Sequence, residues 1–373
     1  MNFEERIMAA FRRETPDRTP WMPRLEHWYN VNKVLGTHAP EHQGLGLIQV
    51  YAELNAAARV YAFADSVYGM PGVASPITTR CSNVETDVRE EGSFVYTTVK
   101  TPIGELQSKE RRTEHGFSQY YVDYPVKSPE DLKTLEYILE NTAVEFNLAA
   151  FHALEKRVGG QGMLWWCFLR TPIQRCFINY LGFEKTIIFL RRYPAEMEHI
   201  IRVMEETDNP HYELVRRSPF KVVNLGENID SRLTSPKLFE RYHLPYYQRR
   251  CEELHRDGKY VTCHVDGYAA PLLSLLRETG LDGVEALTPK PVGDFTIEEM
   301  KNALGDMVLV DGIPFYHFLP HVPLDEFKRV TRKVIRLFGP RLVLGISDEM
   351  PPGGDVNRLR LVNRIIDQEK PRA

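Results

Sequence analysis

The chain has 373 residues, with 47 Lys and Arg against 51 Asp and Glu, which gives a formal net charge of −4. Proteins that bind nucleic acid or an anionic membrane surface usually carry a basic excess, so this balance argues against both kinds of partner. Hydrophobic residues make up 43% of the chain, enough for a large core in one barrel or two smaller domains. The charged amino-terminal segment does not resemble a signal peptide, and no stretch approaches the ~20 apolar residues of a membrane span.

The cysteine content predicts free thiols and a reducing compartment. The chain has five cysteines, an odd number, and no two of them form a CxxC pair. We therefore expect a cytoplasmic protein whose partners are small molecules or other proteins. The cysteines are Cys81, Cys167, Cys176, Cys251 and Cys263.

The first predicted element is an amphipathic helix over residues 3–13, in which apolar residues recur on one face. The ThrProAsp sequence at 15–17 ends it, because proline breaks a helix. A short apolar segment at 19–22 predicts a strand, and a further strand is expected near 63–67.

Residues 80–124 have a different pattern. Strand-like segments at 84–89, 94–99 and 104–109 are separated by glycine and proline. This pattern predicts an antiparallel β excursion inserted near the start of a larger fold.

From residue 162 onward, apolar strands alternate regularly with helices, which predicts a parallel sheet. With the two early strands the count reaches eight, so we predict an α/β fold, a single (β/α)8 TIM barrel spanning 1–373. An open doubly wound sheet is the alternative. The predicted strands lie at 163–168, 220–225, 260–264, 283–287, 307–311 and 342–346, and the predicted helices at 171–216, 235–257, 269–279, 296–304, 323–337 and 355–367.

Ionisable residues cluster after the carboxyl ends of the predicted strands, where parallel barrels hold their reactive groups. Carboxylates that converge on one low-dielectric mouth repel each other unless a cation or a proton intervenes. A histidine with Asp and Glu residues from different strands therefore predicts a divalent metal site. The residues at these ends are Glu227, Asp230, His264, Asp266, Glu285, Asp311, Ser347, Asp348 and Glu349.

Each of these residues also has a purely structural interpretation. A histidine at a strand end is often hydrogen-bonded rather than metal-bound, and Asp311 precedes GlyIlePro and could belong to a turn. Asp348 and Glu349 could cap the helix that begins near 355. Glu285 lies in an apolar strand, where an unpartnered carboxylate is costly, so a functional role is favoured for it. Glu227 follows a glycine, and its role stays open.

Seven segments that together span nearly the whole chain resemble the uroporphyrinogen decarboxylase superfamily. They are ERIMAAFRRETPDRTP (5–20), RTPIQ…YLGFE (170–184), RYPAEM (192–197), TSPKLFERYHLPY (234–246), CHVDG (263–267), GLDGVEAL (280–287) and GISDEMPP (345–352). The resemblance implies the barrel fold. The β excursion also fits the methyltransferase-like members of this superfamily, which work with corrinoid proteins.

Two departures from the superfamily's patterns narrow the expected activity. The decarboxylase carries an ArgGlnAlaGlyArg signature where this chain has WMPRLEHWY (21–29), which keeps only Arg24 as a candidate. The thiol-methylating members bind zinc through a His-x-Cys pair and a later Cys. Here the pair is His264-Val265-Asp266, and the later position falls near Asp348. Oxygen ligands leave a harder, more acidic metal than thiolates do, one suited to polarising an oxygen atom.

The resemblance therefore implies the branch that demethylates phenyl methyl ethers, in which a zinc-dependent methyltransferase transfers the methyl group to the cobalt of a separate corrinoid protein. We expect His264, Glu285 and Glu227 to be catalytic and to hold the zinc together with Asp348. Whether Asp266, Asp311 or Asp348 completes the metal shell is left open. The expected substrate-binding residues are Trp21, Arg24, Trp28, Tyr29, Trp165 and Trp166, although each of the aromatic residues could equally be packing.

Three other functions stay open from the sequence. They are uroporphyrinogen decarboxylation, methyl transfer from a methylated corrinoid to a thiol, and a binding or scaffold role without catalysis. The sequence does not specify the methyl donor, the direction of transfer or the oligomeric state.

Overall fold

The computed structural model of the chain describes residues 1–114, 118–168 and 170–369, so residues 115–117 of the predicted excursion lie outside the described residues. The strands are β1 (Ala58–Phe63), β2 (Ser66–Val67), β3 (Ile77–Cys81), β4 (Glu85–Glu91), β5 (Phe94–Thr101), β6 (Gly104–Arg112), β7 (Gln119–Asp123), β8 (Thr142–Phe146), β9 (Gly162–Phe168), β10 (Val222–Ile229), β11 (Tyr260–Val265), β12 (Gly283–Glu285), β13 (Val308–Pro314) and β14 (Leu342–Ser347).

Helices follow the later strands as the sequence predicted, except after β11. They are α1 (Phe3–Phe11), α2 (Glu26–Leu35), α3 (Leu47–Glu53), α4 (Asp131–Glu140), α5 (Leu148–Val158), α6 (Pro172–Arg175), α7 (Phe183–Arg192), α8 (Pro194–Thr207), α9 (Asn209–Arg217), α10 (Pro236–Leu238), α11 (Leu244–His255), α12 (Ile297–Leu304), α13 (Leu324–Phe338) and α14 (Val356–Gln368). None of the described helices combines the length and the hydrophobicity needed to cross a bilayer.

The chain divides into two compact units, and the first comprises Met1–Pro76, Asn147–Phe168 and Pro219–Ala373. Its sheet has the strand order β14-β13-β12-β11-β10-β9-β1-β2, in which all neighbours are parallel except the short β2. This curled sheet with alternating helices confirms the predicted α/β class and is typical of a TIM-barrel-like fold.

The predicted strand at 19–22 is a single bridge, in which Trp21 pairs in parallel with Leu344. The amide of Met22 donates to Leu344 O at 2.8 Å, and the amide of Ala57 donates to Trp21 O at 2.8 Å. These bonds connect the segment to β14 and to the residue that precedes β1.

Two predictions for the first unit need correction. The strand expected near 63–67 lies earlier, at Ala58–Phe63, because Asp65 has a positive φ of 64° and reverses the chain into the antiparallel β2. The helix expected at 269–279 is two short 3-10 turns, Ala270–Leu272 and Leu276–Glu278. Each spans only three residues, as is usual for that geometry.

The core of the first unit lies between the parallel strands and α1. Trp165, Val222, Val310 and Val343 are buried in one apolar cluster with the apolar face of α1. Strands of a parallel sheet are covered on both faces, which explains why they are apolar runs rather than alternating patterns.

The second unit comprises Ile77–Phe146 and Leu169–Ser218. It holds the antiparallel sheet β4-β5-β6-β7 and the antiparallel pair β3-β8. The predicted strands at 84–89, 94–99 and 104–109 correspond to β4, β5 and β6. The division into two units does not test the expectation of a single domain, which stays a prediction.

The long helix predicted over 171–216 is broken into several pieces in the second unit. The short α6 runs into a π-helical turn at Cys176–Tyr180, and Gly182 then has a positive φ of 78°. Prolines stand at the starts of α6, α8 and α9, where the missing amide hydrogen costs nothing. These positions end one helix and begin the next.

Candidate active site

The candidate site begins with two register neighbours on adjacent parallel strands. His264 on β11 is paired with Glu285 on β12. Side chains at paired positions extend from the same face of a sheet, so the imidazole and the carboxylate meet, with Nδ1 and Oε1 2.7 Å apart. Both side chains are buried.

The second imidazole nitrogen of His264 lies among different carboxylates. Its Nε2 is 3.1 Å from Asp266 Oδ1 and 3.9 Å from Asp348 Oδ1. Asp266 directly follows β11 and Asp348 directly follows β14, so both lie at the carboxyl ends of their strands. One ligand atom from each of these three residues lies within 4.8 Å of the other two, an arrangement that could hold a metal ion.

The carboxylate of Glu285 is held on both oxygens. Its Oε1 contacts His264, while Oε2 accepts from Asn224 Nδ2 at 2.8 Å and from the hydroxyl of Tyr61, and lies 3.3 Å from Arg59 Nη1. Burial alone would raise the pKa of Glu285, but the Arg59 guanidinium and His264 hold that pKa below its ordinary value. Glu285 is therefore an ionised acceptor, which makes His264 Nδ1 the hydrogen-bond donor.

Arg59 carries a second buried contact, to Asp311. Arg59 Nη2 lies 2.6 Å from Asp311 Oδ1, and the amide of Ala286 donates to Asp311 Oδ2 at 3.2 Å. Burial raises the pKa of Asp311 to about 7, although Arg59 opposes this shift. Both oxygens of Asp311 are thus occupied, and Asp311 lies outside the group of three. Asp311 holds the Arg59 guanidinium in place.

Arg24 lies beside the group of three. Its guanidinium pairs with Asp348 and lies 3.5 Å from Glu349 Oε2. The rings of Tyr61 and Tyr68 flank it at 5.7 and 5.4 Å from their centroids, and the Tyr68 hydroxyl donates to Glu349 at 3.0 Å. Asp348 and Glu349 were also candidates for a helix cap, but α14 is capped by Asp355 instead.

Of the four expected metal ligands, His264 and Asp348 belong to the group of three that could hold a metal ion. Asp266 belongs to the group of three, whereas Glu227 and Glu285 do not. Glu285 uses its oxygens on the contacts described above. Glu227 accepts a hydrogen bond from Tyr247 and interacts with the Cys263 thiol. Cys263 and His264 are successive residues of β11 and face opposite sides of the sheet, which explains why Glu227 is absent from the His264 group.

The aromatic residues expected to line a substrate pocket are all buried. Trp165 contacts Phe11 edge to face at 6.1 Å within the apolar core, and Trp166 packs on Phe220 at 5.4 Å. Trp28 stacks on His38 at 5.5 Å. The Tyr29 hydroxyl donates to Leu45 O at 2.8 Å, and Trp21 has no exposed surface. These contacts are explained by packing, and a substrate-lining role for these residues stays a prediction.

The sequence reasoning did not identify Arg59, Tyr61 and Asn224, which together hold Glu285. All three lie within apolar strands, Arg59 and Tyr61 on β1 and Asn224 on β10. An arginine inside a buried strand is costly unless it is paired with a carboxylate. Arg59 was therefore the one residue of the three whose position in the sequence indicated a buried ion pair.

The site holds more carboxyl groups than guanidinium groups. Two guanidinium groups face five carboxyl groups, those of Asp266, Glu285, Asp311, Asp348 and Glu349. Burial lowers the pKa of His264, but Asp266 and Asp348 together raise it well above its ordinary value. One imidazole nitrogen with carboxylate oxygens is a donor set that suits zinc and other divalent ions of similar hardness.

Comparisons with known proteins agree with this fold. A search of curated protein sequences found no match. A methyltransferase from Methanosarcina mazei superposes with a TM-score of 0.60 at 15% identity, covering 99% of both chains, a level of identity that shows a shared fold. A B12-independent methionine synthase from Shewanella sp. W3-18-1 superposes with a TM-score of 0.48 at 10% identity, covering 94% of this chain and 96% of that one.

The family assignment rests on the sequence itself. Residues 117–361 match the family model described as uroporphyrinogen decarboxylase (URO-D), and this range contains β9 to β14 with His264, Glu285 and Asp348. The match covers well over half of the chain. The protein therefore belongs to the uroporphyrinogen decarboxylase (URO-D) family.

Proposed function

We propose that the protein is a zinc-dependent methyltransferase that transfers a methyl group from a phenyl methyl ether to the cobalt of a corrinoid protein. The observation that carries this proposal is the convergence of His264 Nε2 with Asp266 and Asp348 at the carboxyl ends of two strands. The family membership and the fold shared with a methyltransferase support it. The proposed protein ligands include no sulfur atom, which argues against a thiol as the substrate that the metal activates.

The residues present fit a zinc ion. His264 Nε2, Asp266 and Asp348 would hold it, and Glu285 would orient the ring through Nδ1, the carboxylate–histidine arrangement usual at such sites. Zinc bound there would supply a Lewis acid for the ether oxygen and for the phenolate that leaves.

The protein's own residues hold the side chains of this site in place. Arg59, Tyr61 and Asn224 hold Glu285 as a carboxylate. Glu285 accepts the hydrogen bond from His264 Nδ1, so Nε2 is the nitrogen that faces the aspartates and would bind the metal after losing its own proton. Arg24 offsets the repulsion between Asp348 and Glu349. In the proposed reaction the methyl–oxygen bond would break and the phenolate would leave. The methyl–cobalt bond would form, and the cobalt of the partner protein would be oxidised from Co(I) to Co(III).

The first test measures metal content. We expect about one zinc per chain in the reconstituted protein and a loss of at least tenfold in zinc affinity in His264→Ala and Asp348→Asn. His255→Ala is the matched control, because His255 pairs with Asp282 at 2.8 Å outside the candidate site. Reconstituted wild-type protein without zinc, or equal zinc binding in all variants, would contradict the proposal.

The second test measures methyl transfer. Reduced corrinoid protein is mixed with the enzyme and a phenyl methyl ether, and the absorbance change of Co(I) on methylation is followed. We expect the change with wild type and with His255→Ala but not with His264→Ala. Methylation of Co(I) by a methyl thioether but not by the phenyl methyl ether would instead favour the methylcorrinoid:thiol reaction.

One observation favours a second function, porphyrinogen decarboxylation. The family is described by that activity, and Arg24 lies at the site where it could bind substrate carboxylates. Arg24 is already paired with Asp348 and lies close to Glu349, which counts against this role. Release of carbon dioxide from uroporphyrinogen by metal-free protein would establish it.

A further inference from the structure

A cleft in the first unit lies at the other end of the sheet from His264. It has a volume of about 640 Å³ and is bordered by the residues that directly precede β12, β13 and β14. His264 stands near the carboxyl end of β11, whereas this cleft lies at the amino-terminal ends of the neighbouring strands. Its chemistry is therefore separate from the candidate active site.

Three arginines line this cleft, Arg13, Arg277 and Arg341. Arg341 Nη2 donates a long hydrogen bond of 3.4 Å to the carbonyl of Arg13, which brings the two residues side by side. Arg277 Nε donates to Ala303 O at 2.6 Å, and its guanidinium lies against Gly305, where a Cβ would come within 2.9 Å of Nη2. Among the described residues, none of the three forms an ion pair with a carboxylate.

The acidic residues of the cleft do not neutralise these arginines. Asp282 is occupied, since its Oδ2 accepts from His255 Nε2 at 2.8 Å and from the amide of Val261 at 2.7 Å. The hydrogen bond with Asp282 raises the pKa of His255, which adds positive charge to the rim. Asp306 is left as the remaining carboxylate, and it interacts with Arg341 without forming an ion pair.

The Arg341 guanidinium lacks a carboxylate partner among the residues that the structure describes, and a bound anion would supply the missing negative charge. Burial, followed by the nearby Arg13, lowers the pKa of Arg341 below its ordinary value. Nη1 of Arg341 is also buried without an acceptor in the described part of the chain. An unpaired and partly buried guanidinium beside a like charge is costly unless an oxyanion supplies the missing acceptors.

We propose that this cleft binds the phosphate group of a phosphorylated small molecule. Guanidinium groups match phosphate oxygens in pairs, which makes arginine the preferred side chain for that group. The cleft is far larger than an inorganic ion and falls within the range of small-molecule sites, so it has room for the rest of such a ligand. The proposal does not depend on the methyltransferase activity.

The test measures binding to the intact protein by isothermal titration calorimetry at constant ionic strength. The probes are inorganic phosphate, a phosphomonoester such as glycerol 3-phosphate, and citrate as a carboxylate. We expect the phosphomonoester to bind at least tenfold more tightly than citrate. Equal binding of inorganic phosphate and the phosphomonoester would show that the ion alone is recognised and would overturn the assignment to a phosphorylated molecule.

Variants locate the site. Arg13→Gln and Arg341→Gln should each weaken phosphomonoester binding at least tenfold, whereas Arg12→Gln should not, because Arg12 adjoins Arg13 in sequence but does not line the cleft. Arg13 is exposed, so Arg13→Gln keeps the test interpretable if Arg341→Gln fails to fold. Unchanged binding in Arg13→Gln, or the same loss in Arg12→Gln, would refute the proposed site. Zinc content serves as a separate readout that should stay constant.

Discussion

His264 and Glu285 occupy paired positions on neighbouring parallel strands, and their side chains meet with Nδ1 2.7 Å from Oε1. This contact uses the nitrogen of the imidazole that does not face Asp266 and Asp348. Glu285 therefore does not compete for the proposed metal and instead determines which nitrogen is offered to it. The acidic residues of the site therefore have two different roles: Glu285 orients the imidazole, and Asp266 and Asp348 face the nitrogen that would bind the metal.

The first prediction concerns Glu285→Gln. The amide keeps the shape of the side chain but removes the charge that accepts the His264 proton, so we expect zinc affinity to fall by about 10–100-fold. Competition with a chromogenic chelator measures the affinity. Glu298→Gln is the matched control, since Glu298 pairs with Lys333 on the surface. An unchanged affinity in Glu285→Gln would show that this carboxylate does not orient the ring.

The second prediction separates two of the three aspartates that the sequence left open. Asp266→Asn should lower zinc affinity at least tenfold, because Asp266 belongs to the group around His264 Nε2. Asp311→Asn should retain zinc, because both Asp311 oxygens are used by Arg59 and the Ala286 amide. Metal analysis of both purified variants gives the answer. Loss of zinc in Asp311→Asn alone would reverse these assignments.

The third prediction concerns the buried arginine. Arg59→Met removes the guanidinium that pairs with both Glu285 and Asp311, and removing one partner of a buried ion pair costs about 3–5 kcal/mol. The free energy of unfolding in urea measures this change. Arg256→Met is the control, because Arg256 pairs with Glu252 at the surface, where such pairs contribute about 0–1 kcal/mol. Equal effects of the two substitutions would contradict the buried network.

The fourth prediction concerns pH. Burial raises the pKa of Glu26 from 4.5 to about 7, although Arg24 opposes the shift, and Tyr51 donates a hydrogen bond to it at 2.8 Å. Between pH 4.5 and 7 the folded protein holds this proton while the unfolded chain has lost it. The contribution of Glu26 to stability is therefore full below pH 4.5 and is lost as the pH rises through 7, by an amount on the order of 3 kcal/mol.

Glu26→Gln tests this sign directly. The variant cannot lose a proton, so the difference in unfolding free energy between variant and wild type should shift in favour of the variant as the pH rises from 4.5 to 8. Urea unfolding across this pH range measures the difference. A difference that is constant with pH, or that shifts towards the wild type, would show that Glu26 is ionised in the folded protein.

The sequence predicts an element of this structure well when the residues that determine the element lie within it or next to it in the chain. Strands β9 to β14 were predictable because buried parallel strands form continuous apolar runs bounded by helices. The break of the 171–216 segment was not predicted, although Pro194 and Pro210 stand at the starts of α8 and α9. The parallel strand near residue 63 was misplaced because the turn at Asp65 brings a second, antiparallel strand into the same short segment.

The site was predictable in outline but not in its contacts. The rule that reactive groups follow parallel strands located His264, Asp266, Glu285 and Asp348 correctly at one end of the sheet. The same rule does not tell from which face of the sheet a side chain extends, and Glu227, which lies within β10, was therefore grouped with them. The groups that hold Glu285 include Arg59, more than two hundred residues away in the chain, and only the folded structure shows that pairing.

The most direct test of the central claim is X-ray diffraction at the zinc edge from crystals of the reconstituted protein. The account predicts one anomalous peak about 2.1 Å from His264 Nε2, with Asp266 and Asp348 as oxygen ligands and Glu285 hydrogen-bonded to Nδ1. A peak bound by Glu227 or Glu285 instead, or no peak at His264 in fully reconstituted protein, would contradict it.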